Sequence, residues 1–426
     1  MINKIKPKSE FTKNILVLMT GTTIAQAIPV VISPILTRLY TPEDFGIFAL
    51  FFAIVVIIGS ISTGRYEHAI MLPRKDEDAV NIFAIGFIIT LLTSTFIFLI
   101  IFIFFDFFIK TFDYKGIVNW LFFIPISVFF IGFFNILNYF NNRKKNYKDI
   151  SNSLILKALV LAFVQISIGV FKSGSIGLII GEVLSRIFAN LKLFKNILKD
   201  KILISSISKI KIIALSKKYK KFPFHNLPSS LANTGASYLP FLMLPKIFGL
   251  SVGGYFMLAQ RIISLPSALI AKAFSQVLFQ KMAENKVNKI ANSPLLFNTI
   301  KKLTLIGFPI ACLIFILSPT LFYYFFGKDW LIAGEIARYL SIVFFITFIT
   351  SAISVSLLVY TKLKILAFWQ YMYLFTTIIL FSIFLFISVE IKEFLFYFIL
   401  HELILYIIYF YIIVNTVVKM DKALIK

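Results

Sequence analysis

The sequence predicts an all-α, polytopic membrane protein with about twelve transmembrane helices in two six-helix bundles. Three observations carry that expectation. Of 426 residues, 59% are hydrophobic and only 15% are charged, against about 45–50% and about 25% in soluble domains. Apolar runs of at least ~18 residues, long enough to cross a bilayer as a helix, recur along the whole chain. The longest polar insertion, residues 194–221, divides these runs six and six. The short alternating segments of a membrane barrel are not seen.

Apolar segments between charged or turn-rich breaks place the first six spans at 14–37, 45–64, 79–105, 117–138, 152–171 and 174–194. The second six fall at 226–248, 254–280, 303–326, 334–360, 364–388 and 394–417. Each is near the ~20 residues needed to span. The loops set the orientation. With the N-terminus inside, the inner segments hold 31 of the 43 Lys and Arg residues and the outer loops about 8. That bias follows the positive-inside rule and puts both termini in the cytoplasm. The net charge of +24 is then a property of inner loops rather than a sign of nucleic-acid binding. The basic start "MINKIKPKSEFTKN" leads into an apolar run with no small-residue cleavage site, so no removable signal is expected.

The division gives an N-terminal bundle over 1–193, a basic linker over 194–221 and a C-terminal bundle over 222–426. The linker "FKNILKDKILISSISKIKIIALSKKYKK" is amphipathic, with Ile202, Ile210, Ile212 and Ile213 among lysines. It is either an inner-surface helix or a solvated strap, and anionic lipid attracts both. The bundles look related. Pro29 and Pro34 in "IPVVISPILTRLY" share their spacing with Pro240 and Pro245 in "LPFLMLPKIFGL". Each pair precedes a similar span start, "DFGIFAL" and "GGYFMLAQ". A six-span repeat in matching orientation implies bundles related by an axis along the membrane normal, a transporter architecture. Proline inside a spanning helix frees a carbonyl and bends the rod. Pro29, Pro34, Pro240 and Pro245 are therefore candidate hinges, or static packing kinks.

Ionisable residues at membrane depth cost at least ~2.5 kcal/mol each and need a reason. Arg261 and Lys272 lie eleven residues apart on the eighth span. In a regular helix they share nearly one face, ~16 Å apart along the axis, with Gln276 one turn beyond. Glu182 and Arg186 form an i,i+4 pair on the sixth span and can neutralise each other. Lys157 can snorkel to the headgroups. Arg65 and Glu67 stand at the inner mouth of the second span, where interfacial anchoring is the default. His401 and Glu402 could pass protons or serve as a satisfied bundle pair. The excess inside the bilayer is cationic: Arg261, Lys272, Arg186 and Lys157 against Glu182 and Glu402. Such a lumen suits an anionic cargo.

Bond-making chemistry is not indicated. No phosphate loop, dinucleotide fingerprint or His-Glu-x-x-His occurs, and with three histidines and one cysteine a metal site is not expected. No cofactor is implied. Cys312 stands alone, so no disulfide forms within the chain.

The stretches "PILTRLYTPEDFGIFALFFAI" and "YKKFPFHNLPSSLANTGASYLPFLMLPKIFGLSVGGYFMLAQRIISLPSALIAKAFSQVLF" resemble the oligosaccharide flippases of bacterial surface-polysaccharide pathways (Wzx type). Those belong to the multidrug/oligosaccharidyl-lipid/polysaccharide exporter superfamily, and the resemblance covers essentially the whole chain. It implies two six-helix bundles around a central cavity, in the bacterial inner membrane. It implies alternating-access translocation of undecaprenyl-pyrophosphate-linked repeat units for O-antigen, lipopolysaccharide or capsular polysaccharide biosynthesis. Arg261, Lys272, Arg186, Lys157 and Gln276 are this chain's candidate cavity residues, with Glu182 and Glu402 as cavity acids for ion coupling. Arg38 matches the family's signature or anchors the interface. Membrane lipids are expected partners; a polysaccharide polymerase and a chain-length regulator are candidates. The alternative is an ion-coupled small-molecule or drug exporter of the same superfamily.

Overall fold

The computed structural model describes residues 10–111 and 120–425. The basic residues ahead of Glu10, the start of the fourth expected span (117–119) and Lys426 lie outside the described residues. Every described regular element is a helix. Each expected span meets one: α1 (Glu10–Val31), α2 (Pro42–Gly59), α3 (Asp76–Ile103), α4 (Phe123–Arg143), α5 (Tyr147–Gly169) and α6 (Ile176–Leu198). They are followed by α7 (Leu227–Phe248), α8 (Leu250–Pro266, continued by Lys272–Val287), α9 (Ser293–Phe326), α10 (Leu331–Ile353), α11 (Leu363–Phe386) and α12 (Ile391–Ile425). Among the described residues, ten of these helices are long and apolar enough to cross a membrane by length and composition alone. The other two, α6 and α7, carry the polar load: Glu182, Arg186, Lys192 and Lys195 on α6, and three prolines with Ser, Asn and Thr on α7. Large apolar side chains stand exposed on α3, among them Leu92, Phe96 and Phe102, as expected for a face in contact with lipid.

The chain forms two compact units. One runs to Ile32 and resumes over Ile47–Thr234; the other takes Ser33–Gly46 and the chain from Gly235 onward. In the first unit α5 packs on α1 and α6, and α4 on α3 and α6. Ile82, Ile136, Leu193 and Ile197 are buried together at one end. The amphipathic segment seats against that end as two short helices, Lys201–Ser205 and Lys209–Lys218. Leu203 and Leu215 enter the same core, while Ile202, Ile210 and Ile213 remain exposed. Polar contacts pin the segment further. Asn81, fully buried, donates to the Ser206 carbonyl (3.0 Å) and accepts from the Ser208 amide (2.9 Å). Tyr66 donates to the Ser216 carbonyl at 3.0 Å. Lys211 donates to Glu77 at 2.9 Å, and that carboxylate holds the exposed ammonium above the usual lysine range.

The second unit centres on α10, which packs against α8, α9 and α12. Residues 33–46 dock on it through Trp330, whose indole donates to the Thr37 carbonyl (3.1 Å) and meets the Phe45 ring edge-on at 4.9 Å. Arg38 donates to the carbonyls of Pro34 (2.6 Å) and Phe325 (3.0 Å), so it holds this docked segment. The starts of α2 and α8 cross at two glycines. A Cβ on Gly46 would lie 2.0 Å from the Leu250 carbonyl oxygen, and one on Gly254 2.0 Å from that of Pro42. Only bare backbones approach so closely.

The prolines act unequally. The first span is not one rod: α1 stops at Val31 and a separate helix covers Ser33–Leu39, because Pro34 cannot donate to a carbonyl one turn back. Pro240 and Pro245 instead sit within the continuous α7. One distortion of the second half comes after Pro266, where residues Ser267–Ala271 form a π turn inside α8; another π turn, Phe222–Asn226, leads into α7.

Candidate functional site

In the first unit the polar centre grows from the α5–α6 contact. Gly181 on α6 lets Gln165 of α5 approach so closely that a Cβ would meet its Cγ at 2.6 Å. One residue on, Glu182 is buried and forms an ion pair with Arg186 one turn away. Lys157, from α5, comes within 3.7 Å of the same carboxylate. Asn190 extends the line, donating to the Arg186 carbonyl (2.7 Å) and to that of Phe130 on α4 (3.0 Å). Lys157 thus joins a three-charge cluster instead of snorkelling alone. Among the described residues two cations share this one carboxylate, leaving a net positive charge. Arg186 is partly buried, and its Nε has no hydrogen-bond partner among the described residues.

The second unit holds a cavity of about 240 Å³ among α7, α8, α10, α11 and α12. Its polar lining includes Gln260, Ser264, Ser267, Tyr373, Tyr406 and Glu402. Glu402 is buried, accepts from the Tyr373 hydroxyl at 3.2 Å, and lies 3.4 Å from Nδ1 of His401. His401 reaches Thr376 through Nε2 at 3.0 Å. Among the described residues, Glu402 is the one charged side chain in the lining, and no lysine or arginine faces it there. Glu402, expected as a cavity acid, lines this cavity, and none of the expected cavity cations is in its lining.

Arg261, Lys272 and Gln276 are not among the residues lining that cavity. Arg261 is partly buried, its guanidinium carbon 5.9 Å from the centroid of the Phe45 ring. Lys272 and Gln276 are exposed. The expected stripe assumed a regular helix, whereas the π turn after Pro266 lies between Arg261 and Lys272. Its wider i→i+5 turns hold more residues each and rotate the rest of α8 away from the α-helical register. Sequence reasoning overlooked Pro266 as the site of the break. It also overlooked Tyr373 and Tyr406, whose only signal was aromatic character among many aromatics.

At the basic end of α2, Arg65 and Glu67 also do more than anchor. Glu67 is buried, accepts from the Thr63 hydroxyl and from Arg65 (3.3 Å), and lies 3.8 Å from Nε2 of His68. Burial holds His68 below the usual histidine range, opposed by Glu67 and assisted by Arg65. Among the described residues no cluster of His, Cys, Asp and Glu could hold a metal.

The comparison with family models is decisive for lineage: the model described as polysaccharide biosynthesis protein matches residues 35–335. The chain belongs to that family. A search of curated proteins finds no match. Among solved structures, the fold resembles a multidrug resistance MATE family transporter of the MOP superfamily in its outward-facing conformation. That match has TM-score 0.66 and 15% identity, over 97% of this chain and 96% of the other. It also resembles a MOP superfamily transporter from Pyrococcus furiosus Vc1, described by the reverse polarity of its binding pocket. There the TM-score is 0.65 at 15% identity, again over 97% and 96%. The chain is therefore a multi-pass membrane protein with the fold of MOP superfamily transporters.

Proposed function

We propose that this member of the family is a flippase that carries undecaprenyl-pyrophosphate-linked oligosaccharide repeat units across the bacterial inner membrane by alternating access. It would supply O-antigen or capsular polysaccharide assembly, with both termini in the cytoplasm. The observation that carries the proposal is charge. Lys157 and Arg186 share a single buried carboxylate, Glu182, and a net positive centre at membrane depth is costly unless it meets an anion. A pyrophosphate supplies that anion, and charge-assisted hydrogen bonds are its ordinary mode of recognition. Arg261 and Lys272 are further candidates for the same headgroup as the cavity opens and closes. The sugars would cross through polar space, and the polyprenyl tail would stay in lipid. A polymerase and a chain-length regulator would act on the delivered product.

A second reading, an ion-coupled small-molecule exporter, is favoured by Glu402 alone, because an acidic cavity without a cationic lining residue suits a cation. Proteoliposomes separate the two. Wild type is expected to flip a polyprenyl-pyrophosphate oligosaccharide. Lys157→Gln, Arg261→Ala and Lys272→Ala, each checked for folding, are expected to slow it. Cation-driven export of a dye by wild type, without lipid flipping, would favour the exporter.

A further inference from the structure

The α11–α12 hairpin opens beyond a stack of large rings. Trp369 lies over Tyr409 with centroids 4.0 Å apart and planes at 19°. It also stacks on Tyr373 at 5.2 Å and meets Tyr406 at 5.6 Å. These rings wedge the two helices. One to two turns further along lies a second cavity, of about 320 Å³, between the start of α11 and the last part of α12. Lys362 and Ile365 come from the α11 side, and Tyr411, Asn415, Lys419 and Met420 from α12. Tyr411, Asn415 and Lys419 recur every four residues and so share one face of α12.

Among the described residues neither Lys362 nor Lys419 enters an ion pair, and no carboxylate lines the cavity. Asp421, two positions past Lys419, is already committed to the Ser293 amide (2.6 Å) and the Tyr360 hydroxyl (2.9 Å). Tyr411 is 66% exposed, as is Phe368. The cavity thus opens on the apolar flank of the hairpin, where its hydrophobic stretch gives way to basic residues. Two cations and an amide above an apolar floor match an amphiphile bearing a phosphate. The volume lies at the low end for small-molecule sites, enough for a headgroup whose acyl chains remain in the bilayer.

We propose that this cavity binds an anionic glycerophospholipid. Its phosphate is held by Lys362 and Lys419, Asn415 donates to it, and its glycerol rests on Ile365, Tyr411 and Met420. The site is separate from the Glu182 cluster and the Glu402 cavity, and it stands whether or not the chain is a flippase.

The test uses the purified full chain in neutral detergent, with retained lipid read by native mass spectrometry and melting measured alongside. Phosphatidylglycerol is expected to bind more tightly than phosphatidylcholine. The double variant Lys362→Gln/Lys419→Gln should weaken it about thirtyfold, equivalent to about 1 kcal/mol per lysine. Asn415→Trp keeps both charges but fills the cavity, and it should produce a comparable loss. That variant and Lys362→Gln alone carry the comparison should the double variant fail to fold. Unchanged phosphatidylglycerol binding in the folded variants overturns the proposal. So does a stabilisation that inorganic phosphate reproduces, or a preference for polyprenyl phosphate over phosphatidylglycerol.

Discussion

Glu182 compensates two cations at once, so its loss should be felt more than the loss of either partner. Removing one member of a buried ion pair commonly costs about 3–5 kcal/mol, because the remaining charge stays buried and unpaired. Glu182→Gln is therefore expected to melt well below wild type in detergent. Adding Lys157→Gln to Glu182→Gln should recover part of the loss, and a strictly additive double mutant would show that Lys157 is not coupled. His68 gives a pH-dependent prediction. Its ring packs edge-on to Tyr139 at 5.0 Å and near Phe222 at 6.4 Å, and burial keeps it neutral. Because its folded pKa lies below the ordinary histidine value of 6.5, the unfolded chain binds the proton first. The contribution of His68 is thus fully present above that value and is lost as pH falls through the folded pKa. Melting temperature measured across this range should drop more steeply for wild type than for His68→Gln.

Among the helices, α2 and α8 cross backbone against backbone, since each glycine there meets a carbonyl oxygen of the other element's start. Gly46→Ala and Gly254→Ala should each cost about 1–3 kcal/mol as overpacking, read as a loss of melting temperature. Their effects should not add, because either Cβ forces the same crossing apart and so makes room for the other. The π turn in α8 leads to another expectation. Pro266→Ala restores a donor to the helix and removes the reason for the distortion, so the variant should fold at least as stably as wild type. If the distortion serves transport, flipping in proteoliposomes falls while stability does not. Flipping at the wild-type rate would make the π turn a packing accident.

At the scale of the whole molecule, the basic segment after α6 is a fitted part of the first unit. Asn81 is the linchpin, since it satisfies backbone groups on both sides of the turn at Ile207. Asn81→Ala leaves those groups unpaired at about 1–3 kcal/mol. It should release the segment to trypsin at Lys209, Lys211 and Lys217 well before the helices are cut. The proposed cytoplasmic placement of both termini has a direct test: fluorescent and alkaline phosphatase fusions at the C-terminus should report a cytoplasmic end, in keeping with the excess of Lys and Arg in the expected inner loops.

Composition and hydropathy by themselves determined the class, an all-α polytopic membrane protein. A bilayer demands ~20 apolar residues per crossing and internally satisfied backbones, and that demand is written directly into the residue order. The i,i+4 relation of Glu182 and Arg186 was equally legible, being a property of one helix. What the sequence could not decide was every relation between helices. Lys157 is 25 positions from Glu182, and only the packing of α5 on α6 brings them together. The face that Arg261 and Lys272 present was likewise set beyond spacing, because the π turn after Pro266 lies between them and changes the helical register. Glu402 was legible as a candidate cavity acid, but its neighbours in the cavity were not, because a cavity's polarity depends on the few side chains that tertiary packing turns toward it.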